Sequence, residues 1–196
     1  IYYDPKLFLK ILSGFENLLK KSNGDVYYMQ PFSNSLARFD FQNFTLDEVL
    51  NINFNDQNIG REDLMKFVDR NPINLTEQFQ DNGYVVVQNF ERGDNKLLLE
   101  ILYERLSLRV LIDLTDMRSY GFIVIADDNY NLRPYAPDFL VQDRLISVLE
   151  TRSLLEDIER LKTDSPNLYQ KLIDDYPQLG AIKPGDNFVL RIDYLL

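Results

Sequence analysis

The chain of 196 residues contains no cysteine, no histidine and no tryptophan. Without Cys there is no thiol nucleophile, no thiolate-held zinc and no iron–sulfur cluster. Without His there is no Ser-His-Asp or Cys-His triad, no His-ligated haem and no usual catalytic zinc site. Any catalysis falls to carboxylates, Lys, Tyr, Ser and Thr. There is no Gly-x-Gly-x-x-Gly and no Walker-type loop, and no cofactor is expected. No apolar run approaches the roughly 18 residues of a transmembrane helix, so membrane insertion is not expected. The chain begins at Ile1 with no Met and no charged-then-apolar leader. It therefore reads as a processed or trimmed form, and no targeting reading follows.

Basic residues are outnumbered, 21 Lys and Arg against 31 Asp and Glu, for a net charge of −10. Such a surface repels phosphate backbones and anionic membranes, so nucleic acid is not an expected partner. Other protein subunits are.

The chain centres on the stretch from Gly83 to Ala126. Three apolar runs, Tyr84 to Val87, Lys96 to Leu102 and Ser107 to Leu114, are followed by a fourth, Tyr120 to Ile125. Turn-forming residues separate them, which predicts an antiparallel meander. Upstream, Asp4-Pro5 opens an expected helix with an apolar stripe of Phe8, Ile11, Leu12, Phe15, Leu18 and Leu19. Lys20-Lys21 and Ser22-Asn23-Gly24 are expected to end it. Strands are expected at Asp25 to Gln30, Leu36 to Phe41 and in the second half of Phe44 to Phe54. A short helix is expected at Arg61 to Asp69, burying Leu64, Phe67 and Val68, with a helical turn at Leu75 to Phe79.

Downstream, Leu132 to Leu140 reads as irregular because of Pro134 and Pro137. From Val141 the pattern reads as helical, with Val141, Leu145, Val148 and Leu149 on one stripe. Ser153 and Glu156 have capping-box spacing, which starts a second helix or marks a bend near Thr151. A further helix runs from Ser165-Pro166 to Tyr176-Pro177. Asn187 to Leu195 alternates, with Phe188, Leu190, Ile192 and Tyr194 on one face, and is expected to return to the sheet as a final strand. The expected fold is a single α+β domain spanning residues 1–196. Its largely antiparallel sheet packs against the N-terminal helix and a helical subregion at about 141–176.

Several constellations carry a chemical reading beside a structural one. Asn51, Asn53, Asn55 and Glu62 have EF-hand-like spacing, but position 6 is Asp56 rather than Gly. Asp127-Asp128-Asn129 can ligate a hard cation or simply form a turn. Glu100 and Glu104 are a carboxylate pair, yet i and i+4 on a strand stand about 13 Å apart, too far for glycoside chemistry. Arg92-Gly93-Asp94 has the letters of an integrin tripeptide. Asn43-Phe44-Thr45 and Asn74-Leu75-Thr76 are glycosylation sequons.

Leu108 to Asp116, running into Tyr120-Gly121-Phe122, resembles the central meander of ribosome-inactivating proteins, the rRNA N-glycosidases. The resemblance implies a Glu-x-x-Arg pair on a helix and an active-site Trp. No Glu here has Arg three residues later, there is no Trp, and the family's first tyrosine position falls on Arg118.

Two functions are weighed. One is a non-catalytic protein-interaction or structural module of a larger complex, with Tyr2, Tyr3, Tyr27, Tyr28, Tyr130 and Tyr135 as interface residues in or beside loops. The other is a carboxylate-based hydrolase, with an N-glycosidase among the candidates. A concave pocket of converging acids favours the hydrolase, and a broad flat apolar patch favours the interaction module.

Overall fold

A computed structural model describes residues 19–29, 32, 34–70, 75–127 and 129–195. The expected first helix falls outside them up to Leu18. Its supposed last turn does not form: Leu19–Ser22 is a strand, β1, paired antiparallel with β2, Asp25–Met29. Asn23-Gly24 is therefore a hairpin turn rather than a helix stop. Both residues have positive φ, 51° and 87°, as the tight turn matched to strand twist requires. β3 (Ser35–Asp40) and β4 (Thr45–Asn51) complete a four-stranded sheet in the order β1-β2-β3-β4.

Two helices follow, α1 (Arg61–Arg70) and α2 (Leu75–Asp81), and then the meander. Its strands are β5 (Val86–Arg92), β6 (Lys96–Tyr103), β7 (Leu106–Asp113) and β8 (Ser119–Phe122), paired in sequence order. Val124 and Ile125 lie beyond its last strand. The apolar run Leu97-Leu98-Leu99 on β6 is buried throughout, as expected of a strand covered on both sides. One cluster joins Phe90, Leu97 and Leu99 to Met29 and Leu36 of the first sheet. A second joins Val86 to Phe79, Leu75 and Leu64 of the two helices. The register of β5 against β6 skips Gln88 between Val87 and Asn89. This bulge brings Phe90, three residues after Val87, back onto the same core.

The described residues fall into two compact units, one ending at Phe122 and one beginning at Ile123. The second unit corrects the helical reading of Val141 to Leu149. Phe139–Val141 is β9 and Arg144–Leu149 is β10, joined by Gln142-Asp143 with φ of 49° and 59°. Spacing at i, i+4, i+7 and i+8 had matched a helix, but Leu145 and Ser147 are buried while Arg144 is exposed, the period of a strand. Helices α3 (Thr151–Asp164) and α4 (Pro166–Asp175) follow, with Leu154, Ile158, Leu161 and Leu172 forming their common core. Ser153 does not cap α3. It donates to Glu150 Oε2 at 3.1 Å, and Glu150 is the N-cap. β11 (Val189–Tyr194) pairs with β10, giving a separate sheet in the order β11-β10-β9 rather than a return to the meander.

The described chain is thus α+β, with four helices and eleven strands, all pairings antiparallel, in three sheets. No helix among the described residues is long and apolar enough to cross a membrane.

Phe79 is fully buried between Phe32 and Phe67, with ring centroids 4.9 Å from each. Phe79→Ala is expected to cost about 3–5 kcal/mol of stability, read as a fall in the denaturant midpoint. Lys96 Nζ lies 2.8 Å from Asp113 Oδ2 across β6 and β7. The Lys96 ammonium, helped by the Thr115 N–H, holds the Asp113 carboxyl down at about 2 against an ordinary 3.8. A depressed folded value stabilises above the ordinary one and is lost as pH falls towards 2. Lys96→Met is therefore expected to flatten the loss of stability across that acid window, measured by chemical denaturation at stepped pH.

Candidate functional site

The alternation of β11 sends two sets of side chains in opposite directions. Inward go Val189, Arg191 and Asp193; outward go Leu190, Ile192 and Tyr194. The alternation expected from the sequence is present, and the structure turns its apolar set outward. The reason is a buried polar cluster. Arg191 forms an ion pair with Asp127, whose side chain is only 1% exposed. Asp127 also accepts from the backbone N–H groups of Asn129 and Tyr130 through Oδ1. The Arg191 guanidinium lies 4.1 Å from the centre of the Tyr135 ring, and the Tyr135 hydroxyl donates to Asp193 Oδ2 at 2.8 Å. Burial, and then that carboxylate, push the Tyr135 phenol above its ordinary value. Ser147, opposite Arg191 on β10, is buried with no hydrogen-bond partner for its hydroxyl among the described residues. Such a cluster is coherent only if each charge is paired, because an isolated buried charge is far too costly.

Paired residues of an antiparallel sheet share a face, so the register defines what stands outside. Tyr194 lies opposite Arg144, Ile192 opposite Ile146 and Leu190 opposite Val148; Arg144 and Ile146 in turn face Val141 and Phe139 of β9. Apart from Arg144, every member of this face is apolar. Leu190 is 60% exposed, Tyr194 67%, and Phe139, Val141 and Ile192 nearly half; Phe188, just before the strand, is exposed too. The Arg144 guanidinium sits 4.8 Å from the centre of the Tyr194 ring. This is a largely apolar sheet face on an acidic chain. Its signal was legible as the alternation of Phe188 to Tyr194; the direction of that alternation was not.

A depression of about 330 Å³ in the same unit shares Tyr135 and Arg191 with the buried cluster and Val148 with the outer face, and is lined also by Arg133, Asp138, Glu150 and Asp157. Its acids are engaged. Asp157 accepts from the Arg133 N–H at 2.9 Å and pairs with the Arg133 and Arg160 side chains. Asp138 accepts from the Val148 N–H and Glu150 from Ser153.

The described tyrosines among those expected at an interface, Tyr27, Tyr28, Tyr130 and Tyr135, are part-buried or buried. Tyr2 and Tyr3 lie outside the described residues. Tyr27 and Tyr28 are half-buried on β2, with Arg92 over the Tyr27 ring at 5.5 Å. Tyr130 is part-buried against the helical core, and its hydroxyl donates to Asp175, whose carboxylate pushes the phenol above its ordinary value. Tyr135 is in the buried cluster. The other constellations have structural partners. Glu100 pairs with Arg109 at 2.9 Å, and Asn53 Oδ1 accepts from the Asn55 N–H and the Asn58 amide. Asp94 of the Arg-Gly-Asp stretch accepts from Asn23. Among the described residues no three acids gather as a metal site requires.

Removing one partner of the buried pair strands the other. Arg191→Met is expected to destabilise the chain by about 3–5 kcal/mol, seen in denaturant unfolding.

No protein-family model and no curated protein matches the chain in sequence. A solved structure shares the fold: a protein of Bacteroides fragilis, described as a candidate exported protein, superposes with a TM-score of 0.61 at 16% identity. The match covers 88% of this chain and 48% of that one, so this chain spans about half the length of its structural relative. At that identity the likeness is one of fold.

Proposed function

We propose that this protein works by contact rather than turnover, as a non-catalytic interaction module whose binding surface is the outer face of β9, β10 and β11. The observation that carries this reading is the face itself. Its six exposed apolar side chains present on the order of 600 Å² of apolar surface, the upper end of what a monomer displays without a partner. Exposed apolar residues are ordinary when scattered, and others stand elsewhere on the chain; these share one side of one sheet, or directly precede it, without an acid among them.

The hydrolase reading has the depression at Asp138, Glu150 and Asp157 as its site. There each carboxylate is tied to a backbone or side-chain donor, and Asp157 is further neutralised by Arg133 and Arg160. Contact through the sheet is the better-supported function.

Affinity capture from the native source, with wild type and Ile192→Glu as paired baits, tests the reading. A defined partner held by wild type and lost from a variant with unchanged circular dichroism is expected. Identical or empty captures from both baits contradict it.

A further inference from the structure

We infer that the outer face of β9, β10 and β11 is closed by the same face of a second copy of this chain. This rests on the interaction reading and names the partner. The area suffices. Two such faces remove on the order of 1,200 Å² from water, above the roughly 1,000 Å² that a specific interface needs. The shape suits a copy of itself. A three-stranded pleated face presents side chains at a period of two residues, and such faces interdigitate at about 10 Å to make a sandwich core. Helices α3 and α4 already pack on Leu149 and Val189, so the outer side is the one left bare.

Charge selects the occupant. The chain carries 31 acids and a net charge of −10, so two copies repel over most of their surfaces. The outer face is the exception, because its paired positions include no Asp or Glu. Its one ion, Arg144, lies over the Tyr194 ring and keeps an apolar neighbour when the face closes. A basic partner would be met by carboxylates, and a nucleic acid by several cations; this face offers neither. What it offers is free of carboxylates and, Arg144 apart, apolar, a surface that a copy of itself can meet across a two-fold axis.

Sedimentation equilibrium of the wild-type chain, carried to concentrations on the order of 100 μM, is expected to give twice the chain mass. Ile192→Glu and Leu190→Lys, of opposite sign, are each expected to weaken the dimer at least about tenfold, because each buries an unpaired charge. Phe44→Lys, at an exposed apolar position in the other unit, should leave the dimer intact. Circular dichroism confirms that each variant is folded. Hydrogen exchange of the unmodified chain above and below the midpoint reads the same face, with slowed amides expected in β9 to β11. A monomer throughout, a dimer indifferent to both face variants, or slowing confined to other strands overturns the inference. A monomer that still captures a different protein through Ile192 overturns the second copy and leaves the interaction reading standing.

Discussion

The buried pair of Asp127 and Arg191 sets the polarity of the second unit. Successive side chains on a strand point to opposite faces, so fixing Arg191 inward fixes Asp193 inward and Leu190, Ile192 and Tyr194 outward. A slip of one residue would bury the apolar set and strand Asp127. The two costs are of similar size. An uncompensated buried charge costs about 3–5 kcal/mol, and exposing a large apolar side chain forfeits about 1.5–3 kcal/mol when complete. The three outward side chains are each about half to two-thirds exposed, so their combined loss nearly matches the ion pair. A face held outward on so narrow a margin gains from being covered, since covering it removes the opposing cost and leaves the ion pair unopposed.

The first unit resolves the same tension differently. There β5 and β6 have apolar neighbours on both faces, the β1-β4 sheet on one side and α1 and α2 on the other. No apolar set has to be sacrificed for a buried charge. Two of its ion pairs, Lys96 with Asp113 and Glu100 with Arg109, are cross-strand pairs with part-exposed carboxylates that join neighbours already in register.

How much of this was legible depended on whether a pattern had one meaning. The run at Leu97-Leu98-Leu99 could only be a strand buried on both sides or a short core helix, and its flanking turns decided it. Helices α3 and α4 carried long 3.6-residue stripes with Ser165-Pro166 between them. The residues from Val141 to Leu149 did not decide between periods, because an apolar spacing of four, seven and eight fits a helix stripe and a short hairpin alike. Their turn, Gln142-Asp143, lacks the glycine that marks such hairpins. Asn23-Gly24 has that mark, but two preceding lysines made it look like a helix end. The candidate surface was half legible. Alternation from Phe188 to Tyr194 showed that β11 has two faces, while which face turns inward was decided by Asp127 and Tyr135, 64 and 58 residues away from their partners. No local pattern encodes a partner at that distance.

Two hairpins turn through a pair of adjacent residues at positive φ, neither of them glycine. Glu104 and Arg105 between β6 and β7, like Gln142 and Asp143 between β9 and β10, hold positive φ with full side chains. Each such residue costs about 1–2 kcal/mol where glycine would cost little. A bend of this kind gains nothing from its own backbone; the pairing of its arms holds it in place. Both connections are therefore places where the backbone would accept glycine with relief rather than loss.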